Sequence, residues 1–253
     1  MSDDSLKPDT DEGIIEGRNA VTEALRAGRP IDKIYIAKGD VDKTLWNIAL
    51  KAREAGVVVI ETDRRKLDNM CKTAAHQGVI AKAAAREYCT PADILAVAKT
   101  RGEVPFVVAC DGINDPQNMG AIIRSAECAG VHGVIITKRR SVGLTAAVGR
   151  ASAGAVEHMA VARVASLPST LNELKSNGLW IFGTSVTGRH KLWKTDMKGP
   201  ICLVIGSEGG GMGRLVTKCC DFSVRVPVTG KVASLNASAA AAVTIYEIMR
   251  QRG

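Results

Sequence analysis

Aromatic residues are scarce in this chain. They make up 4% of 253 positions, too few rings for the stacking platform of a sequence-tolerant single-strand binder. Long apolar runs are missing too: Val104 to Cys110, Val131 to Thr137 and Leu179 to Phe182 have strand length, far short of the roughly 20 residues of a membrane span. The 7 cysteines, at 71, 89, 110, 128, 202, 219 and 220, include no Cys-x-x-Cys pair and no histidine at metal-ligand spacing. Reduced, buried or half-buried thiols are therefore expected, with no metal and no disulfide. Residues 1–12 are polar and acidic and lack the apolar stretch of a secretion signal, so they read as a disordered tail and the protein as cytoplasmic.

What the chain does have is an ordinary globular balance, 46% hydrophobic and 24% charged with a mean hydropathy of +0.04, enough for a core in one or two domains. A net charge of +8 and a pI near 9.2 favour a polyanionic partner, and with so few rings an RNA would be gripped mainly through its phosphates.

Periodicity divides the chain into two blocks. In the first, "GRNAVTEALRAG" reads as a helix closed by Gly28 and "IDKIYIAK" as a strand. Val41, Leu45, Ile48, Ala49 and Ala52 then recur at helical spacing before the strand "VVVIE", the helix "TDRRKLDNMC" and the strand "GVIAKA". This predicts a compact α/β domain over 13–85. Residues 86–103, polar with Pro91, are predicted to be a linker with an entry helix.

The second block, 104–253, alternates more regularly. "PFVVAC" passes through "DGINDPQN" into a helix from about Met119 to Ala129, and "GVIIT" follows as a parallel strand. "LTAAVGRASAGAVEH" is predicted helical. Strands at "VARV", "LWIFGTS", "PICLVIG" and "FSVRVPV" and a C-terminal helix "SLNASAAAAVTIYEIMRQR" complete an α/β pattern with a parallel sheet. Spacing alone predicts an unknotted doubly wound sheet.

Ligands of such sheets bind off the carboxyl ends of the strands, where three unusual loops gather: Asp111 to Asn118, Gly206 to Gly213 and Pro227 to Asn236. "GSEGGGMG" is no Walker A loop, because Arg214 and Leu215 follow where Lys and Ser/Thr are needed. Nor does any stretch give the Rossmann spacing behind a first strand, which excludes a nicotinamide dehydrogenase. Tight turns that need positive φ explain the glycines without any ligand.

Taken together, "NDPQNMGAIIRSAECAG", "LVIGSEGGGM" and "VRVPVTGKVASLNASAAAAV" resemble the three signature motifs of the SpoU/TrmH-type RNA ribose 2′-O-methyltransferases of the SPOUT superfamily. "EGRNAVTEALRAG" and "AAHQGVIAK" are similar to the small L30e-like substrate-binding domain of the branch that modifies a guanosine of bacterial 23S rRNA, with Arg18 standing where many relatives carry histidine. The resemblance implies a C-terminal SPOUT domain tied in a deep trefoil knot, a homodimer, and S-adenosylmethionine as cofactor. The small-residue helices at 145–155 and 236–243 would suit close packing between subunits.

It also implies roles. Asn118, Arg124, Glu208, Ser234 and Asn236 would form the methyl-transfer centre. As ordinary residues, Asn118 and Ser234 would be helix caps, Asn236 a first-turn residue, Arg124 a solvated helix arginine and Glu208 a surface turn acid. A carboxylate in the glycine loop suits a cofactor without phosphate, and Glu208 is expected to pair with Arg124 and hold its planar fork. Because a guanidinium stays protonated, Arg124 is better suited to clamping phosphate or developing oxygen charge than to taking a proton. Gly206, Val226, Leu235 and, more weakly, Thr184 would hold the cofactor. Arg18, Arg64, Arg65, Lys66, Lys72, Lys138, Arg139 and Arg140 are candidate RNA phosphate contacts, with Gln77 and Gly78 matched but without a role. Other RNA targets, tRNA included, and a non-catalytic RNA-binding protein stay open as alternatives.

Overall fold

The computed structural model describes residues 13–29, 31–39, 42–71, 73, 75–83 and 88–253. The expected tail, 1–12, and Lys72 lie outside the described residues. Two compact units emerge, one holding the described residues up to 83 together with Leu144–Arg150, the other Tyr88–Gly143 and Ala151–Gly253.

In the first unit β1 (Ile14–Glu16), α1 (Arg18–Arg26), β2 (Ile31–Ala37), α2 (Lys43–Glu54), β3 (Val58–Thr62), α3 (Arg64–Met70) and β4 (Val79–Ala83) follow in order. Their sheet runs β1-β4-β2-β3, with β4 antiparallel to both neighbours and β2 parallel to β3. Strand alternation decides the layers: Ile34 and Ile36 meet Val21, Ala24, Leu45 and Ile48 of α1 and α2, while Ala37 and Ile80 meet Leu67 of α3 on the other face. Of the residues that the helical spacing singled out, α2 buries Leu45, Ile48, Ala49 and Ala52, and Val41 lies outside the described residues.

The returning segment Leu144–Arg150 brings a charge to this unit. Glu16 is fully buried, and its Oε2 accepts from Arg150 Nη1 at 2.8 Å and from Thr73 Oγ1 at 2.6 Å. A buried carboxylate without such partners would cost several kcal/mol, on the order of 3–5 when one partner is removed. No periodicity in the sequence signals this pairing.

The second unit contains α4 (Pro91–Arg101), β5 (Phe106–Asp111), α5 (Pro116–Cys128), β6 (Gly133–Thr137), the last residue of α6 (Ala146–Ala151), β7 (Val161–Val164), α7 (Leu167–Ser176), β8 (Trp180–Thr184), β9 (His190–Lys191), β10 (Ile201–Gly206), α8 (Arg214–Cys219), β11 (Phe222–Arg225) and α9 (Ala237–Arg252). Every strand pair is parallel, in the order β7-β6-β5-β10-β8-β11-β9. Val107, Ala109, Ile135, Cys202 and Val204 form one face of the core with Ile94, Leu171, Leu174 and Val216 from α4, α7 and α8. Against the same sheet α5 packs on α9.

Two expectations change. The described part of 86–103 is not a connector: Thr90 and Asp93 form a capping box at the start of α4, Ile94 and Ala98 are buried, and a Cβ on Gly133 would lie 2.5 Å from Ile94 Cγ1. The expected entry helix is present as α4, but it packs on the core of the second unit through Ile94 and Ala98 instead of serving as a link. The long helix expected over "LTAAVGRASAGAVEH" shrinks to α6 and one 3-10 turn, because Ala153 and Gly154 take positive φ of 51° and 88°. Ala151 of this segment packs inside the chain, where a Cβ on Gly120 would sit 2.4 Å from Ala151 Cβ.

Candidate active site

Strand order reverses between β5 and β10: β6 and β7 extend one way, β8 and β11 the other. The crevice of a parallel sheet opens at such a point. Gly206 is in register with Asp111, so the first two loops leave the sheet side by side. Asp111 Oδ2 then accepts from the Gly213 amide at 2.7 Å and ties the far end of the second loop to the start of the first.

The glycines of that second loop have a structural reason. Ser207 N donates to Gly211 O at 3.0 Å and Gly211 N to Ser207 O at 2.9 Å, closing a tight turn in which Gly209 and Gly211 have φ of 75° and 61°. A Cβ on Gly206 would stand 2.4 Å from the Gly211 carbonyl carbon, so no other residue closes it. Glu208 is lifted to the exposed tip.

Asn236 joins the three loops. It is the N-cap of α9, its Oδ1 accepting from the amides of Ser238 at 2.9 Å and Ala239 at 3.2 Å. That role settles which end of the side chain is the amide nitrogen. Its Nδ2 donates to Asn118 Oδ1 at 2.9 Å and, through a short contact, to Glu208 Oε1, spending both protons. Asn118 is buried in the first turn of α5. Free for a ligand are the Asn118 amide nitrogen and the second Glu208 oxygen, neither of which has a hydrogen bond among the described residues.

The caps differ from expectation. Asp115, followed by Pro116, caps α5 in place of Asn118, accepting from Gln117 N at 3.1 Å and Asn118 N at 3.3 Å. An Asp-Pro pair ahead of an apolar helix is a cap signal legible in the sequence. Asn236, not Ser234, caps α9, and Ser234 is exposed.

Arg124 does not pair with Glu208. It is exposed and makes no hydrogen bond or ion pair among the described residues. Six residues beyond Asn118, it lies roughly 120° around the helix from that side chain, while Glu208 is engaged by Asn236. One chain therefore assembles Asn118, Glu208 and Asn236 but leaves Arg124 apart.

Of the expected cofactor residues, Gly206 ends β10, Thr184 ends β8 with its hydroxyl donated to Val204 O at 3.1 Å, and Val226, partly buried, follows β11. Leu235 is 42% exposed at the end of a stretch, 227–236, in which every residue is exposed. The basic turn of Lys138, Arg139 and Arg140 is exposed beside the first loop: Val142 N donates to Ile113 O at 3.0 Å, and Arg140 itself has φ of 57°. In the first unit Arg65 and Lys66 are exposed on α3. Sequence reasoning missed Asp111 and Asp115, and gave Gln77 no task.

Relatives place this geometry in a family. Residues 105–246 match the SpoU rRNA Methylase family, and residues 14–89 match the RNA 2′-O ribose methyltransferase substrate-binding family. A Bacillus subtilis protein named as a TrmH family tRNA/rRNA methyltransferase is 44% identical over 236 residues, 93% of this chain and 94% of that protein. The fold is shared with the SpoU methyltransferase AviRb from Streptomyces viridochromogenes, solved in complex with its cofactor AdoMet, at a TM-score of 0.79 and 24% identity over 94% of this chain and 90% of that one. A solved RNA 2′-O ribose methyltransferase is similar at a TM-score of 0.75 and 25% identity, covering 94% of this chain and 88% of that one. By its match to the family over residues 105–246 and its 44% identity to the Bacillus protein, the chain belongs to the SpoU rRNA methylase family of RNA methyltransferases.

Proposed function

We propose that the protein moves the methyl group of S-adenosylmethionine to a ribose 2′-hydroxyl of RNA, with a guanosine of 23S rRNA as the target. The observation that carries this reading is the single Asn236 amide that gathers Asn118 and Glu208 where β5 and β10 part. The residues present fit the cofactor: the glycine turn offers backbone groups and an acid that would repel a phosphate, and Leu235 leaves apolar surface uncovered beside it. The bound sulfonium supplies an already activated methyl. What the chain has to add is alignment and an outlet for one proton. Gly206, Val226, Leu235 and Thr184 would hold the adenosine end. Asn118 donates to the ribose, Arg124 steadies a neighbouring phosphate or the charge growing on the oxygen, and the free oxygen of Glu208 accepts the proton. Ser234 would line the same centre.

Arg124 needs something beyond its own chain to reach that centre, and a second copy can provide it. Ala239, Ala242, Val243, Tyr246 and Met249 leave an apolar stripe on α9, Tyr246 being 43% and Met249 40% exposed. We infer a homodimer through this stripe, and a knot formed as α9 returns from β11 past β8 and β10 to α5. The basic turn at 138–140 and Arg18, Arg64, Arg65, Lys66 and Lys72 would follow the RNA backbone. No described helix is long and apolar enough to cross a membrane, and the proposed compartment is the cytoplasm.

Incubation with labelled S-adenosylmethionine and ribosomal RNA, followed by mapping of alkali-resistant ribose positions, tests both reaction and nucleotide. Label on a 23S guanosine is expected. Label on tRNA would move the target to the second substrate in the Bacillus relative's name, and cofactor binding without transfer to any RNA would leave only a binder.

A further inference from the structure

Within the first unit lies a cavity of about 440 Å³, inside the range of about 300–1,000 Å³ typical of ligand sites. Arg18, Asp42, Arg64, Gln77 and Gly78 line it, with Leu45 as an apolar wall. Arg18 is held from three sides: its backbone amide donates to Gln77 Oε1 at 3.2 Å, its Nε to Gln77 O at 3.0 Å and its Nη1 to Asp42 Oδ2 at 2.5 Å. Asp42 is itself fixed, its other oxygen accepting from the amides of Thr44 at 2.9 Å and Leu45 at 3.0 Å. The Leu45 amide, with the Arg18 guanidinium and the Thr44 amide, keeps this carboxyl below the usual range, so it stays charged.

Gln77 has φ of 50°, a conformation that side-chain-bearing residues seldom adopt, and Gly78 follows at 84°. A surface ion pair alone needs neither that backbone nor a cavity. The side-chain acceptors of the described lining are engaged, Asp42 by three donors and the Gln77 oxygen by the Arg18 amide. Among the described residues Arg18 Nη2 and Gln77 Nε2 donate to no partner, and the Arg64 guanidinium stands in the same lining. Donors of that kind take an anion with several acceptor oxygens.

We propose that this cavity is a phosphate subsite for the substrate RNA: it takes one phosphodiester with its adjoining ribose, gripped by Arg18, Arg64 and the Gln77 amide. Asp42 is the positioning residue that aims Arg18. The subsite rests on the RNA-modifying function proposed above.

Fluorescence anisotropy of the full chain with a 23S rRNA fragment and with an RNA of unrelated sequence, over a range of salt, tests it. Arg18→Ala is expected to weaken both RNAs alike, roughly tenfold, and to reduce the slope of log K against log salt by about one. Asp42→Asn separates aim from charge. Asparagine still caps α2 and the variant gains positive charge, so bulk attraction would tighten binding, whereas loss of aim weakens it. Weakening is expected, with S-adenosylmethionine affinity and melting temperature near wild type. Unchanged affinity and slope in Arg18→Ala, a loss confined to one sequence, or tighter binding by Asp42→Asn would each overturn the subsite while wild-type methyl transfer stands. A wild type that neither binds nor methylates RNA would overturn the proposed function and the subsite with it.

Discussion

In the smaller unit Arg18 is pinned by three hydrogen bonds; in the larger, Arg124 stands exposed with none. Ordering a free arginine costs up to about 2 kcal/mol of rotamer freedom. Around Arg18 that cost was met on folding, through a capped aspartate and a glutamine in the left-handed region. Around Arg124 it is still outstanding, to be met by a second copy of the chain or by the RNA. On the proposed function, binding and chemistry are prepared differently: the grip is built in advance, and the proposed methyl-transfer cluster lacks Arg124 within one chain. In the proposed role, an arginine ordered only late in the reaction path favours the transition state over the ground state.

The largest effect that probes this contrast is expected from Arg124→Ala. Methyl transfer in single-turnover assays is expected to fall on the order of 10²–10³-fold, with S-adenosylmethionine affinity by calorimetry within about twofold. Arg124→Lys is expected to be nearly as poor, since an ammonium lacks the planar fork. A large loss of cofactor binding would place Arg124 at the cofactor and not the ribose.

Asn236 comes next because it does two things at once. Asn236→Asp keeps an oxygen for the α9 cap but sets a like charge beside Glu208, so transfer is expected to drop roughly 10–100-fold with little change in melting temperature. Asn236→Ala also loses the cap, about 1 kcal/mol and roughly 2–4 °C in a protein of this size. Pairing Asn236→Asp with Glu208→Gln removes the repulsion and is expected to recover the affinity for cofactor before it recovers rate.

A smaller effect lies at the far end of α9. Hydrogen bonds from Arg250 and then Gln251 lower the Glu247 carboxyl to about 2 from its usual 4.5. A depressed carboxyl stabilises the fold above about 4.5, and that contribution is lost as pH falls toward 2. Thermal melts between pH 5 and 3 are expected to show part of the loss, flattened in Glu247→Gln. The smallest signal concerns thiols: burial pushes Cys110 up to about 12 and Cys202 higher still, whereas Cys128 is exposed. Maleimide is expected to label Cys128 well before either buried thiol, with mass spectrometry as the readout.

The elements that alternate strongly were legible in the sequence. The burial of Leu45, Ile48, Ala49 and Ala52 followed from helical spacing, and "PICLVIG" from an apolar run between breakers. The shorter strands β1 and β9 were not, since two or three residues carry no period. Residues 88–103 misled because α4 buries only Ile94 and Ala98 and shows solvent a polar side. At the site, residue types and the meeting of three loops could be read, since loops at the carboxyl ends of parallel strands share a neighbourhood. Which acid meets which base could not: the partner of Glu208 depends on where Asn236 is aimed once Oδ1 caps a helix, a three-dimensional fact with no spacing signature.

The turn closed at Gly206 carries a last consequence. Since even a methyl group there would collide with the Gly211 backbone, the acid at the tip has almost no room to drift toward or away from the sheet. Its mobility must come from Asn236 and the start of α9. Whatever grips the outer flank of that helix therefore also steers the carboxylate, and in the proposed homodimer, dilution is expected to loosen the acid as well as strand the arginine, making specific activity rise with concentration.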